Sequence, residues 1–211
     1  MIGDDLDGAG ALRAAEQLGA RLARVLEERP EPAPGTRPAL SPPFASARDR
    51  YEGLYPGRST LVIFAAFGPR SSHPLGALIA HVREHHPDTC VAWRHYADPG
   101  AHPRAVQLAL AAEAAGAAAR FWPLTRELLA LRHDGPDDLH GALLRAGLDP
   151  GHTVEAISAG VGADRIADDL ASAVASGVTV SPTLFVNGER YRGELRPAMV
   201  VAALDAAATP A

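Results

Sequence analysis

The sequence predicts an α/β fold, with a βαβ unit and a closing ββα unit separated by a block of helices. Three observations carry this reading. Leu61-Val-Ile-Phe-Ala-Ala-Phe67 and Cys90-Val-Ala-Trp-Arg-His-Tyr96 are apolar runs of strand length, of the kind a sheet buries on both faces. A helix-length segment lies between them, which makes the two strands parallel and the connection a crossover. Near the C-terminus, residues 178–192 form two strand-like runs joined at Asn187-Gly188, a pair that favours a type I′ hairpin turn.

Taken in order, residues 10–28 read as a helix. Leu12, Leu18, Leu22, Val25 and Leu26 fall near one stripe at 3.6-residue spacing, with Arg and Glu opposite. Docking on its own domain is the first expectation for this helix; dimerisation or docking on a partner is the alternative. Residues 30–47 are too rich in proline for a regular helix and read as a semi-rigid linker or surface arm. Gly68-Pro69 ends the first strand. His73-Pro74 opens a helix, because proline is tolerated in a first turn whose N–H groups lack intrahelical partners, and this helix closes near Pro87-Asp88. Helices are then expected over 103–118, 121–131, 137–146 and, as a pair, 153–176, punctuated by Pro123, Gly135-Pro136 and Asp149-Pro150-Gly151. Residues 196–207 form the closing helix. The division is residues 1–55 as helix plus arm and 56–211 as the α/β domain, with the helical insertion at about 103–176.

Composition narrows the function. The chain has 211 residues, is 47% hydrophobic and 21% charged, and contains no lysine, so all 20 basic side chains are arginine. A net charge of −5 argues against a nucleic-acid or anionic-membrane partner. No apolar run approaches the roughly 18 residues of a spanning helix. Met1-Ile-Gly-Asp-Asp lacks the basic start of a secretory signal, so a cytoplasmic location is expected. One cysteine, Cys90, excludes an intramolecular disulfide and any multi-cysteine metal site.

Several strings make a family resemblance specific. Trp93-Arg94-His95-Tyr96, His102-Pro103, Ala111-Ala-Glu-Ala-Ala115, Arg120-Phe121-Trp122, and above all Ser176 to Gly188 followed by Tyr191-Arg-Gly193 resemble the bacterial DsbA-like thioredoxin family. The resemblance covers about residues 58–207. It implies a thioredoxin fold with an inserted helical block. It also implies a cis-proline at Pro182, with Ser181 before it facing the functional site, where the loop backbone can pair with an extended segment.

This chain departs from the family at the motif. Members carry Cys-x-x-Cys between the first strand of the βαβ unit and its helix: one thiolate attacks a disulfide and the second sulfur resolves the intermediate. Aligning Phe67 with the aromatic residue before the motif places Pro69-Arg70-Ser71-Ser72 on those positions. Neither end carries sulfur, so thiol–disulfide exchange is excluded there. Cys90, near the start of the second strand, reads as a small buried hydrophobe.

Ser72 is expected to cap the helix. A helix N-terminus also favours an anion or thiolate. A more distant resemblance, to kappa-class glutathione transferases and hydroxychromene-carboxylate isomerases, implies a serine that holds a thiol cofactor's sulfur. In those enzymes the serine occupies the first motif position, which is Pro69 here. Arg70 is a candidate carboxylate or phosphate grip and His73 a candidate base, each with a solvated surface role as the alternative. His81 and His85, with His86 beside them, lack a third ligand at fixed spacing, so no metal site is expected. Asp168-Asp169 reads as a solvated helix face.

Two functions stay open. The first is a redox-inactive binding or regulatory module, without a cofactor, that takes a peptide, a partner protein or a small thiol. Its surface would comprise Pro69, Arg70, Ser71, Ser72, His73, Ser181 and Pro182. Domains of the resembled family are appended to sodium/proton antiporters in some bacteria, which implies a regulatory role beside a membrane protein; a homodimer is a further candidate assembly. The second is a transferase or isomerase that depends on a low-molecular-weight thiol and uses Ser71 or Ser72, with His73 as a further catalytic candidate.

Overall fold

A computed structural model describes residues 9–29, 39–131 and 139–208. They gather into two compact units. One comprises residues up to Glu28, Ala66–Arg70 and Ala97–Asp168; the other comprises Arg29–Ala65, Ser71–Tyr96 and the chain from Asp169 onward.

The first unit is helical. α1 (Ala9–Glu27) buries Ala11, Ala15, Leu18 and Leu22 and packs against α3 (Pro103–Ala117) and α6 (Pro150–Ser158). Of the stripe read from spacing, Leu18 and Leu22 are buried, Val25 and Leu26 half-buried and Leu12 exposed, because Ala11 and Ala15 share the buried face. It is docked on its own chain. α4 (Phe121–Ala130) and α5 (Leu139–Arg145) complete the packing with Phe121, Leu124, Leu128 and Leu143. α7 (Ala163–Ala175) begins here and continues into the second unit. Glu113 of α3 is fully buried, with Arg165 Nε at 3.4 Å. Gly162, at φ +82°, backs directly onto the Glu113 side chain, a position where both the conformation and the close approach require glycine.

The second unit is built on a five-stranded sheet in the order β1-β3-β2-β4-β5. β2 (Ser59–Ala65) and β3 (Thr89–His95) are parallel, linked by α2 (His73–His85). Leu61 to Ala65 and every residue of β3 are buried, as expected for runs covered on both faces. β4 (Thr183–Val186) and β5 (Glu189–Arg190) form the hairpin, with Asn187 at φ +48° and Gly188 at φ +83° making its turn. The Asn187 side chain accepts the Thr60 N–H at 2.7 Å and donates to the Ala207 carbonyl at 2.7 Å, tying the turn to β2 and to α8 (Pro197–Ala207).

One strand has no counterpart in the sequence reading. β1 (Arg50–Glu52) pairs antiparallel with β3, Tyr51 opposite Ala92. The segment before it, read as a semi-rigid linker or a surface arm, lies on the sheet where it is described. Ala39 bridges to Glu189 at the β5 edge, Leu40 is buried, and the chain then crosses one face of the sheet to reach β1 at the opposite edge. The two compact units therefore do not divide at residue 55, because α1 packs with the helical block while residues 39–52 pack with the sheet.

Arg94 fastens that crossing. It is fully buried, and its guanidinium makes five hydrogen bonds: Nε and Nη2 to the Asp49 carboxylate (2.7 and 3.1 Å), Nη1 to the Pro42 carbonyl (2.9 Å) and Ser172 Oγ (2.8 Å), and Nη2 to the Pro43 carbonyl (3.2 Å). That uses every donor the group has. The reading of Asp168-Asp169 as a solvated face is corrected for one of the two. Asp168 is exposed, whereas Asp169 is buried, accepts the His95 N–H at 3.0 Å and pairs with Arg48 at 3.3 Å. A carboxylate on α7 can be buried here because a backbone donor and a guanidinium meet it.

Candidate functional site

The ends of β2 and β3 and the start of β4 lie at one end of the sheet, because Phe64 pairs with both Arg94 and Thr183. α2 starts at that same end, since a crossover helix runs back along its strands. The sheet unit thus brings Ser71, Ser72 and His73 to the same end as Ser181 and Pro182. Pro69 and Arg70 are grouped with the helical unit.

The motif positions have distinct environments. Gly68, at φ +101°, turns the chain out of β2. Pro69 is buried, Arg70 and Ser71 are exposed, Ser72 is buried and His73 is exposed; Arg70–Ser72 form one 3-10 turn that runs into α2. The expected cap is absent. Ser72 stands at the N-cap position with φ −91° and ψ −13°, and its side chain makes no capping bond. A capping side chain normally projects from a β-region backbone toward the N2 or N3 N–H. Here the backbone is already helical, and Pro74 removes one of the two target donors. The Ser72 hydroxyl is left 1% exposed and without a hydrogen-bond partner.

The second loop is closed locally. Thr183 Oγ1 donates to the Val180 carbonyl at 2.8 Å, and the Ser181–Pro182 peptide is cis. Ser181 and Pro182 are half-buried, and Val180 beside them is 57% exposed. Val180 was missed from sequence; the available signal was an apolar residue inside a Gly/Ser/Thr/Pro-rich loop.

The single cysteine lies away from the motif. Cys90 is fully buried on β3, opposite Thr60. Burial pushes its thiol up to about 12 from an ordinary 9.0; the Asp49 carboxylate adds to the rise and Arg83 opposes it. His81 and His85 stack on each other at 4.0 Å between ring centroids, and no group of three metal-ligating side chains occurs among the described residues. No helix among them is long and apolar enough to cross a membrane.

No family model matches the chain. Among curated proteins, it is 37% identical over 170 residues to a Na(+)/H(+) antiporter NhaA 1 of Mycolicibacterium gilvum, a stretch that is 78% of this chain and 27% of the antiporter. It is 42% identical over 122 residues to the NhaA 1 of Salinispora arenicola, covering 56% of this chain and 18% of that one. The NhaA of Herminiimonas arsenicoxydans matches at 32% over 172 residues, 79% and 27% of the two chains. The chain thus spans about a quarter of the length of the curated relatives it matches. Among solved structures, BdbD from Bacillus subtilis superposes with a TM-score of 0.68 at 15% identity, over 80% of this chain and 97% of that one. A thioredoxin-like oxidoreductase from Silicibacter pomeroyi gives 0.62 at 18% identity, over 76% and 92%. The thiol-disulfide exchange protein alpha-DsbA2 from Wolbachia pipientis gives 0.59 at 11%, over 91% and 96%. These likenesses establish a DsbA-like thioredoxin fold. On that fold this chain carries no Cys-x-x-Cys pair.

Proposed function

We propose that this chain, a DsbA-like thioredoxin fold without the dithiol, is a redox-inactive binding module that regulates a sodium/proton antiporter. One observation carries the redox half of the proposal: Pro69 to Ser72 hold no sulfur, and the sole cysteine is buried with its thiol pushed up to about 12. A thiol so rarely ionised is neither nucleophile nor leaving group at neutral pH. The antiporter half is supported by the matched stretch in proteins named as Na(+)/H(+) antiporters, over 78% of this chain. The surface we assign lies on the sheet unit and comprises Ser71 and His73 with Val180, Ser181 and Pro182. It takes a peptide or protein partner without a cofactor, and the proposed location is cytoplasmic.

The redox half is tested by insulin reduction with dithiothreitol. No acceleration over the uncatalysed rate is expected, and turnover would sink this half of the proposal. The partner half is tested by co-purification of the tagged chain with a sodium/proton antiporter in detergent. Recovery should fall for a variant carrying His73→Ala and Val180→Asp; equal recovery with and without these changes removes the surface assignment.

A thiol-dependent transferase is a second reading, and the exposure of Ser71 at the entry to α2 favours it. Ser72 is too deeply buried to meet a thiol from solution. Calorimetry with glutathione separates the readings: saturable binding that is lost in Ser71→Ala supports the enzyme, and no heat supports the binding module.

A further inference from the structure

We infer that two copies of this chain pair edge to edge through β1, with the two-fold axis at Tyr51, joining two five-stranded sheets into one of ten strands. β1 has a sheet neighbour on one side only, β3, among the described residues. Its sequence is Arg50-Tyr51-Glu52. An antiparallel copy centred on Tyr51 places Arg50 opposite the partner's Glu52 and Glu52 opposite the partner's Arg50, so the strand is complementary in charge to itself. Residues directly opposite on such a pair lie within reach on one face of the sheet, and opposite charges there favour the pairing. The same operation sets Tyr51 against its own copy on the other face.

The surroundings of β1 provide the apolar part. Phe44, Tyr51 and Tyr55 form a cluster with ring centroids 5.6, 5.1 and 6.0 Å apart, and none of the three is buried. Tyr55 is 45% exposed and Leu54 beside it is 56% exposed. Two of the chain's four tyrosines therefore stand at one sheet edge. A clustered aromatic surface of this kind marks an interface more often than a solvated face. Three residues make few ladder hydrogen bonds, so the rings must supply most of the affinity. A weak dimer follows, as for small interfaces generally.

Sedimentation equilibrium of the full chain across concentration tests this. A monomer–dimer equilibrium is expected. Arg50→Glu puts glutamates opposite each other, and Glu52→Arg does the same with arginines, so each variant should lose at least about tenfold in association. An equimolar mixture of the two variants should associate again, because every opposed pair then has opposite charge. The double variant Arg50→Glu/Glu52→Arg should self-associate like the parent. If a charge variant fails to fold by circular dichroism, Tyr55→Ser on the exposed ring replaces it and should weaken the dimer by a similar factor. A chain that stays monomeric, a dimer indifferent to these changes, or a mixture that fails to associate overturns the inference.

Discussion

Replacing Arg94 by methionine keeps an unbranched apolar stem but removes a positive charge and every donor of a fully buried guanidinium. Five hydrogen bonds disappear together. The Pro42 and Pro43 carbonyls lose a donor, and the buried Asp49 carboxylate loses its two-point partner. Asp49 keeps two contacts, the Ala45 N–H at 2.8 Å and Arg48 at 3.3 Å. Before the change, Arg48 and Arg94 balance Asp49 and Asp169; afterwards the cluster holds one excess negative charge. Removing one member of a buried pair costs roughly 3–5 kcal/mol, and the surviving contacts to Asp49 put this case at about 3–4 kcal/mol. At about 2–4 °C per kcal/mol for a chain of this size, the melting temperature should fall by roughly 6–16 °C. The assay is thermal unfolding followed by far-ultraviolet circular dichroism, run on Arg94→Met, Asp49→Leu and the double variant. Because both singles strand a buried charge and the double strands none, the double should cost less than the sum of the singles. A loss under about 1 kcal/mol for Arg94→Met, or simple additivity in the double, would refute the argument that the pair fastens residues 42–49 to the sheet.

Three further outcomes follow from the same structure. Cys90 should be unreactive toward Ellman's reagent in the native protein at pH 8, because the side chain is fully buried and its thiol is pushed up to about 12, and should react at once in denaturant. Its raised value also fixes a sign: the stability that the protonated thiol contributes is complete below about 9, the ordinary value, and is lost as pH rises toward about 12. Cys90→Ser should reduce that slope, leaving the part due to Tyr191, whose hydroxyl burial also pushes up. Gly162→Ala should cost about 2–4 kcal/mol in urea unfolding, because it adds a clash with Glu113 to a positive φ. Gly160→Ala, at φ +73° with open space around it, should cost only about 1–2 kcal/mol; equal losses would show that the clash is relieved without strain. Finally, Pro69→Cys/Ser72→Cys should form a disulfide in air, leaving Cys90 as the sole thiol titrated after unfolding; persistent free thiols would put the motif in another register.

The parts of the fold legible in the sequence were those whose environment is uniform along a segment. β2 and β3 are buried on both faces and so appear as unbroken apolar runs, and the hairpin is marked by Asn187-Gly188. β1 was not legible. Three half-buried residues after a proline-rich stretch carry no period, and their pairing with β3 is decided some forty residues later. The Arg94 network was hidden for the same reason, its partners lying 45 residues before and 78 after it. Ser72 illustrates a different failure. Residue type and position both favoured a cap, but the 3-10 turn Arg70–Ser72 sets a backbone from which the hydroxyl makes no capping bond.

The crossing of the sheet by residues 39–49 bears on how such a domain can be inherited. A gene fragment starting at residue 56 would contain most of the regular secondary structure, yet it would leave Arg94 without Asp49 and two carbonyls and would uncover the edge of β3 that β1 pairs and the edge of β5 that Ala39 bridges. Open edges of this kind template pairing with other chains. Recombination can therefore move this sheet between proteins only together with the seemingly unstructured stretch before it, from Ala39 or earlier. The apparent linker is part of the transferable unit.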